Sequence, residues 1–198
     1  MDNRNLSLTE RRKAATRLDI AQVAFGLLAD HGPGEVTAEG IAGAAGVSLR
    51  TFYRYFRSKE DAVAPALAVG GDMWRARLAD TPGGARLLPA VEEAIRGALT
   101  PQDTDQTDRL ERTRRLLRAA AKDSSLAEVW YRVNRESETL LVPVLAGIAA
   151  ETGELELRLV AAAATDAIRV ALEAWAAEQA EADSPAELAV RCFRRLAP

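Results

Sequence analysis

Apolar positions recur at helical spacing along most of the chain. One such stripe runs from Leu8 to about Asp30, a second from Arg86 to Leu99, and a last one follows Ser184. Residues three and four apart share one face of an α-helix, so these stripes predict amphipathic helices that pack through one side. No segment shows the alternation of apolar and polar residues that a half-buried strand requires. The pattern therefore predicts an all-α fold.

Between residues 37 and 59 the pattern predicts two short helices joined by a tight turn. Thr37 and Ser48 stand where these helices should begin, and a hydroxyl at that position can accept a backbone N–H of the first turn. Gly46 lies between them and can enter a left-handed conformation without steric cost. Two phenylalanines four residues apart give the second helix a buried face. This arrangement is a helix-turn-helix, whose second helix can enter a DNA major groove.

The charge of this segment supports a role in DNA binding. Residues 47–59 include four Lys or Arg and no Asp or Glu, interleaved with hydroxyl groups. Cations and hydroxyls suit phosphates, and arginine can bond a guanine edge through two nitrogens. A surface hairpin with solvated arginines is the alternative interpretation. Caps, turn, apolar face and basic face all agree, which favours DNA binding.

The stretch AGVSLRTFYRYFRSKEDAV, residues 45–63, resembles the signature of the TetR family of bacterial transcriptional regulators. The resemblance is specific over roughly the first third of the chain. It implies a three-helix DNA-binding domain at residues 1–58 and, at 59–198, a ligand-binding and dimerisation domain of about six helices. The DNA-contacting residues that it implies, with the cap of the second helix, are Thr37, Ser48, Leu49, Arg50, Thr51, Tyr53, Tyr55 and Lys59.

The implied contacts differ in kind along the recognition helix. Thr51 and Lys59 fall where the family contacts phosphates, as do Thr37 and Tyr55. Arg50 falls where family members approach bases, together with Leu49 and Tyr53. Two alternatives stay open here, because the Tyr53 ring could pack between helices and Leu49 could be a spacer.

The segment that joins the two predicted domains looks helical rather than flexible. Ser58 is expected to cap a long helix that Pro65 kinks, because proline lacks the backbone N–H of a helix interior. Residues 100–107 form a polar loop in this prediction, and the next helix begins at Asp108. A further helix begins at Ser124 or Ser125 and is expected to kink at Pro143.

The last two predicted helices carry more apolar surface than one subunit needs. Residues 154–181 are apolar on two sides, so this helix must be buried on two sides. Ser184 should cap the final helix, with Pro185 in its first position. Spare apolar surface on two terminal helices suits a homodimer, and in TetR-like proteins these helices form that contact.

A small-molecule pocket is a weaker prediction for the body. Aromatic and polar side chains are mixed on its helices, and a mostly apolar pocket with a few polar groups is the usual ligand site. Each residue alone is equally consistent with an ordinary core or surface position. The ending LRLVAAAATDAIRVALEAW, residues 157–175, also resembles the subgroup whose C-terminal domains bind acyl-CoA-like ligands. The candidate pocket residues are Met73, Trp74, Trp130, Tyr131, Asn134, Arg169 and Trp175.

Composition excludes several other classes of protein. The 198 residues contain one cysteine and one histidine, so an internal disulfide or a thiolate metal cluster is not expected. No catalytic constellation, cofactor motif or membrane-spanning apolar run is visible, which predicts a cytoplasmic protein that is not an enzyme and has no cofactor. The net charge of −3 is uneven: residues 1–60 hold nine Lys or Arg against seven Asp or Glu, and the rest hold 17 against 22.

These observations lead to one expected function and two alternatives. We expect a ligand-responsive transcriptional repressor that binds a pseudo-palindromic DNA operator as a dimer and is released by a small, mostly apolar effector. A helical enzyme or scaffold that uses the helix-turn-helix only for packing remains open, as does a TetR-like activator without ligand response. Steep salt dependence of DNA binding would separate a regulator from a scaffold.

Overall fold

The computed structural model describes residues 7–177 and 184–197, and in these ranges it contains nine α-helices and no strand. The predicted all-α fold is confirmed. A 3-10 turn at Asp61–Val63 precedes the fourth helix. The helices are α1 Leu8–His31, α2 Ala38–Ala44, α3 Leu49–Tyr55, α4 Ala64–Ala79, α5 Leu87–Leu99, α6 Thr104–Ala120, α7 Ser124–Ile148, α8 Glu154–Ala177 and α9 Pro185–Leu196.

Helix α1 begins and ends where its sequence provides caps. The Ser7 hydroxyl accepts the Glu10 backbone N–H at 3.2 Å, and a Glu10 carboxylate oxygen accepts the Ser7 N–H at 2.8 Å. Hydrogen bonding of the Glu10 carboxylate to the Ser7 side chain and to the Ser7 backbone lowers the pKa of Glu10. The helix ends at His31, and the next residue, Gly32, has a φ of 76°. Glycine adopts this left-handed conformation with little steric strain. Both ends were predictable, because the capping box and the terminal glycine are local signals.

The junction between head and body differs from the prediction. The Ser58 hydroxyl accepts the Asp61 N–H at 3.1 Å, but the turn that follows is a 3-10 turn rather than the start of a long helix. Helix α4 begins only at Ala64, with Pro65 in its first turn. Proline is favoured there because its missing N–H would have no partner anyway. The predicted kink at Pro65 is therefore wrong.

Of two helix starts in the body, one was predicted wrongly and one is confirmed. Helix α6 begins at Thr104, inside the predicted loop, because the Asp103 carboxylate accepts the Gln106 N–H at 2.7 Å. Helix α7 begins at Ser124, as predicted, and its cap is Asp123, whose carboxylate accepts the Leu126 N–H at 2.9 Å. It then continues as one helix through Pro143. The predicted end of α8 near residue 181 lies outside the described residues.

The head and the body share a hydrophobic core. Phe25 and Phe52 of the head belong to one buried cluster with Leu116 of α6 and with Leu126 and Val133 of α7. A second cluster fills the body between α4, α5, α7, α8 and α9. The three-helix head is thus packed directly on α6 and α7. A displacement of either helix would therefore move side chains in the core of the head.

Candidate DNA-binding helix and effector cavity

The start of α3 is held by short local hydrogen bonds. The Ser48 hydroxyl accepts the Thr51 N–H at 3.1 Å, and the two hydroxyl oxygens lie 3.0 Å apart. Before it, Val47 N–H donates to Ala42 O at 2.9 Å across a turn in which Gly46 has a φ of 67°. The chain between α2 and α3 is therefore closed by backbone and side-chain bonds, which sets the direction of α3.

The exposed side of α3 carries most of the predicted DNA-contacting residues. Phe52 is fully buried beneath it, whereas Leu49 is 39% exposed and Tyr53 is 55% exposed. Arg50 is exposed beside them. The Tyr53 ring meets Phe52 edge to face at 5.4 Å but remains open to solvent, so it does not pack between helices. Leu49, Arg50 and Tyr53 thus lie together on a solvent-facing surface.

The remaining predicted contacts surround that surface. Thr37 is exposed and caps α2, its hydroxyl accepting the Gly40 N–H at 3.0 Å. Tyr55 is half-buried, with the Arg54 guanidinium 5.3 Å from its ring centre. These side chains are polar and accessible, as a phosphate contact requires.

Lys59 has a different environment from the one predicted. Its ammonium donates to Val36 O at 2.8 Å and also to Pro33 O. It lies 3.7 Å from a Glu60 carboxylate oxygen. An ammonium has three N–H donors, and two of them here hold the loop between α1 and α2. Lys59 is therefore directed into the head, and at most one donor is left for a phosphate.

The body contains a cavity of about 140 Å³ between α4, α6, α7 and α8. Met73, Trp74, Trp130 and Asn134 line it, so the structure brings four of the predicted pocket residues together. The Asn134 amide is anchored by a hydrogen bond to Trp130 O at 2.8 Å. Phe25 of α1 also reaches the wall of the cavity, where it connects the cavity to the core of the head.

Three predicted pocket residues lie elsewhere. The Tyr131 ring is exposed beneath the Arg169 guanidinium at 5.5 Å. Arg169 is held by Asp166 and Glu173, at 3.0 Å in each case. Trp175 is buried outside the cavity. Its indole packs under the guanidinium of another arginine, 4.5 Å from the ring centre. Mixed aromatic and polar character selected residues on α7 and α8, two of the helices that line the cavity, but it did not show which face of each helix meets the cavity.

Several polar lining residues were missed by the sequence analysis. Thr165 is only 5% exposed, and its hydroxyl has no hydrogen-bond partner in the part of the chain that the structure describes. The other missed polar residues are Gln106, Arg109, Thr113 and Ser137. Gln106 was hidden by the loop predicted at 100–107. Thr165 offered a signal, because it interrupts a run of alanines.

Within the described ranges no helix is both long and apolar enough to cross a membrane. The same ranges contain no group of three or more His, Cys, Asp or Glu that could hold a metal ion.

Comparison with known proteins points to one family. The sequence model described as "Bacterial regulatory proteins, tetR family" matches residues 20–64, which span the second half of α1, all of α2 and α3, and the first residue of α4. Over 49 residues the chain is 45% identical to the mycofactocin biosynthesis transcriptional regulator MftR of Mycobacterium tuberculosis. That alignment covers 25% of each protein, so the chain spans about a quarter of the length of the curated relative that it matches.

Solved structures extend the likeness in fold to the body. A TetR-family transcriptional regulator from Rhodococcus sp. superposes with a TM-score of 0.61 at 16% identity, covering 92% of this chain and 98% of that one. The TetR-family repressor AlkX from Dietzia sp. gives a TM-score of 0.60 at 22% identity, covering 92% and 93%. Residues 20–64 thus match the TetR family of bacterial regulatory proteins, and the rest of the chain shares the fold of TetR-family structures.

The match to the TetR family over residues 20–64 bears on the alternatives left open by the sequence. The family and its structural neighbours are transcriptional regulators and not enzymes. The helix-turn-helix at α2 and α3 lies inside the matched N-terminal domain, so its DNA-binding character follows from the family. The match therefore favours a transcriptional regulator over a helical enzyme or a scaffold with a merely structural helix-turn-helix.

Proposed function

We propose that this TetR-family chain is a ligand-responsive repressor that binds a pseudo-palindromic operator as a homodimer. One observation carries the proposal. Helix α6 lines the cavity at one end and enters the core of the head at the other. An effector in the cavity can therefore act on the head through a single rigid element.

The path along α6 is short and continuous. Leu110 and Thr113 face the cavity, and Leu116, one turn further on, is buried in the same cluster as Phe25 of α1. A ligand shifts a conformational equilibrium only by its difference in affinity for the two states. A molecule that fits the cavity better when α6 is displaced would thus favour a different position of α1 and α3.

The proposed DNA contacts follow the exposed surface of α3. Leu49, Arg50 and Tyr53 would meet base edges, with Arg50 able to bond a guanine through two nitrogens. Thr51, with Thr37, Tyr55 and the Ser48 hydroxyl around it, would contact phosphates. Lys59 would serve mainly to hold the loop before α2, because two of its donors are already used there.

The proposed dimer forms through α8 and α9. Leu155, Leu159 and Val170 of α8 are exposed, as is Leu196 of α9. Apolar side chains in an exposed row on packed helices are typical of a subunit interface. Such a dimer would present two copies of α3 to successive major grooves, roughly 34–36 Å apart.

We propose a domain boundary near residue 58, with residues 1–58 as the DNA-binding domain and 59–198 as the ligand-binding and dimerisation domain. Because the head core includes Leu116 and Leu126, the motions of the two domains would be coupled and not independent. The proposed effector is a small, mostly apolar molecule. A repressor role also agrees with the description of AlkX as a repressor, although its 22% identity bears only on fold.

Three measurements test this proposal. The mass of one chain is 21.3 kDa, and light scattering at micromolar concentration should give twice that mass. A DNA duplex enriched from a random library should bind with an affinity that falls steeply as salt is added. A promoter carrying that duplex should become more active when the chain is removed. A monomer that ignores DNA at low salt would contradict the proposal, and a promoter that weakens on removal would identify an activator.

A further inference from the structure

We infer that the cavity is built for a small amphipathic carboxylate, with an apolar tail about the size of a benzene ring and an anionic headgroup at Arg109. The inference rests on the proposed function, because it names the class of effector for the same cavity. It depends on the charges of the wall, the position of one arginine, and the volume of the cavity.

The charges of the wall disfavour a cationic ligand. None of the residues that line the cavity is Asp or Glu, and Arg109 is the one Lys or Arg among them. A cation taken out of water loses hydration energy that a carboxylate partner recovers most fully, and the wall supplies none. The second arginine nearby, Arg75, is buried but already paired with Asp72, and it donates to the Ser137 hydroxyl at 2.6 Å. The local charge that remains unpaired is therefore positive.

Arg109 is placed to receive an anion. It lies exposed on α6 at the edge of the cavity, and a guanidinium nitrogen contacts the Met73 sulfur at 2.8 Å. No carboxylate of the described residues lies within 4.0 Å of its side chain. A carboxylate ligand can thus form a charge-assisted pair with Arg109 without breaking an existing one. Displacing the thioether costs little, because sulfur is a weak acceptor.

The volume sets the size of the apolar tail. The cavity of about 140 Å³ is close to the roughly 150 Å³ of an engineered apolar cavity that holds benzene. Trp74, Trp130, Leu99 and Leu172 provide apolar surface around it. A tail of about six carbon atoms fits this space, and longer tails would have to extend through the opening beside Arg109.

Three ligands with one tail and different charge test the inference. Hexanoate, 1-hexanol and hexylammonium are titrated into the full chain while the tryptophan fluorescence, to which Trp74 and Trp130 of the wall contribute, is followed. We expect hexanoate to bind about fivefold more tightly than hexanol, and hexylammonium most weakly. Arg109→Gln should remove the preference for hexanoate and leave hexanol binding unchanged. Arg112→Gln, an exposed arginine on the same helix that does not line the cavity, is the matched control and should preserve the preference.

Each result decides one claim. Equal or tighter binding of hexanol or hexylammonium overturns the carboxylate class, as does an unchanged preference in Arg109→Gln or no binding of any of the three. Retention on the library-selected duplex is measured in the same samples. Release by hexanol or hexylammonium alone would preserve ligand response while refuting the class. Hexanoate binding without any release would preserve the class while refuting ligand response, and a chain that never binds the duplex refutes the regulator itself.

Discussion

Arg115 of α6 donates a hydrogen bond to Asp30 of α1, with 2.7 Å between the guanidinium nitrogen and the carboxylate oxygen. The pair joins the helix that lines the cavity to the last turn of the first helix of the head. Both side chains are substantially exposed, so the ion pair is screened by solvent. Its importance lies in where it connects the two domains more than in its contribution to stability.

A double-mutant cycle should measure this connection. We expect Asp30→Asn and Arg115→Gln to couple by about 0.2–1 kcal/mol in the free energy of unfolding, as exposed ion pairs do. Urea unfolding of the two single variants and the double variant gives the coupling energy. Arg112→Gln combined with Asp30→Asn is the control and should be additive. Additive effects of Asp30 and Arg115 would show that the pair does not form in solution.

Two glycines near the turn should respond in opposite directions to alanine. Gly43 lies within α2 and Gly46 has a φ of 67°, and an added Cβ would meet no atom within 4 Å at either position. Any difference must therefore come from the backbone. We expect Gly43→Ala to stabilise the chain by roughly 0.5–1 kcal/mol, and Gly46→Ala to destabilise it by about 1–2 kcal/mol. Thermal unfolding of both variants checks the signs, and a stabilised Gly46→Ala would contradict the turn geometry.

Local signals explain what could be predicted from the sequence. The caps at Ser7, Thr37, Ser48 and Ser184 each need only a hydroxyl and the residues that follow it, so the starts of α1, α2, α3 and α9 were predictable. The start of α6 was not, because its first turns lack apolar residues and only the Asp103 cap marks it. Hydrophobic periodicity cannot indicate a helical segment that is exposed on all sides, because such a segment has no apolar face.

The cavity wall was harder to predict because it depends on tertiary packing. Trp130 and Tyr131 are neighbours in the chain, yet Trp130 lines the cavity and Tyr131 faces solvent. Which of the two turns inward depends on where α8 packs against α7. The sequence gives no measure of that angle. For the same reason Arg109 was not among the predicted pocket residues, although it is the charged residue in the wall.

The base-contacting role of Arg50 gives a direct test of the DNA surface. Arg50→Ala should weaken binding to the library-selected duplex by about 1–3 kcal/mol and relax the preference at one base pair. The substitution should change the salt dependence of binding less than it changes the affinity, because a base contact neutralises no phosphate. Arg135→Ala, an exposed arginine on α7, is the control and should bind as the parent does. Equal loss on all sequences would instead assign Arg50 to a phosphate.

The pair between α5 and α9 predicts a pH dependence of stability. Hydrogen bonding to Arg194, at 2.8 Å through Nε, lowers the pKa of Glu92 below that of an ordinary glutamate. A carboxyl whose pKa is lower in the folded chain contributes stability that is present above the unfolded pKa and is lost as pH falls through the folded pKa. Arg194→Gln should therefore lower the melting temperature at neutral pH.

The same substitution should have no effect once Glu92 is protonated in both states. Melting curves of the parent and of Arg194→Gln, recorded from neutral pH down through the carboxyl range, should converge as pH falls. Arg195→Gln, its exposed neighbour on α9, is the control and should show no such convergence. A difference that persists unchanged at low pH would mean that Arg194 acts through packing rather than through the Glu92 carboxylate.

The exposed leucines of α8 give the sharpest test of the dimer. Leu159 is 61% exposed, so Leu159→Glu should change the stability of the subunit by no more than about 0.5 kcal/mol. In a dimer the same side chain would be buried, and an uncompensated carboxylate there should shift the equilibrium towards monomer. Leu140→Glu is the matched control, because Leu140 is 53% exposed on α7. Sedimentation should separate the two variants.

The monomeric variant should also lose most of its affinity for a two-site duplex, because the second head no longer binds as part of the same molecule. A Leu159→Glu chain that stays dimeric and keeps that affinity would move the interface away from this face of α8.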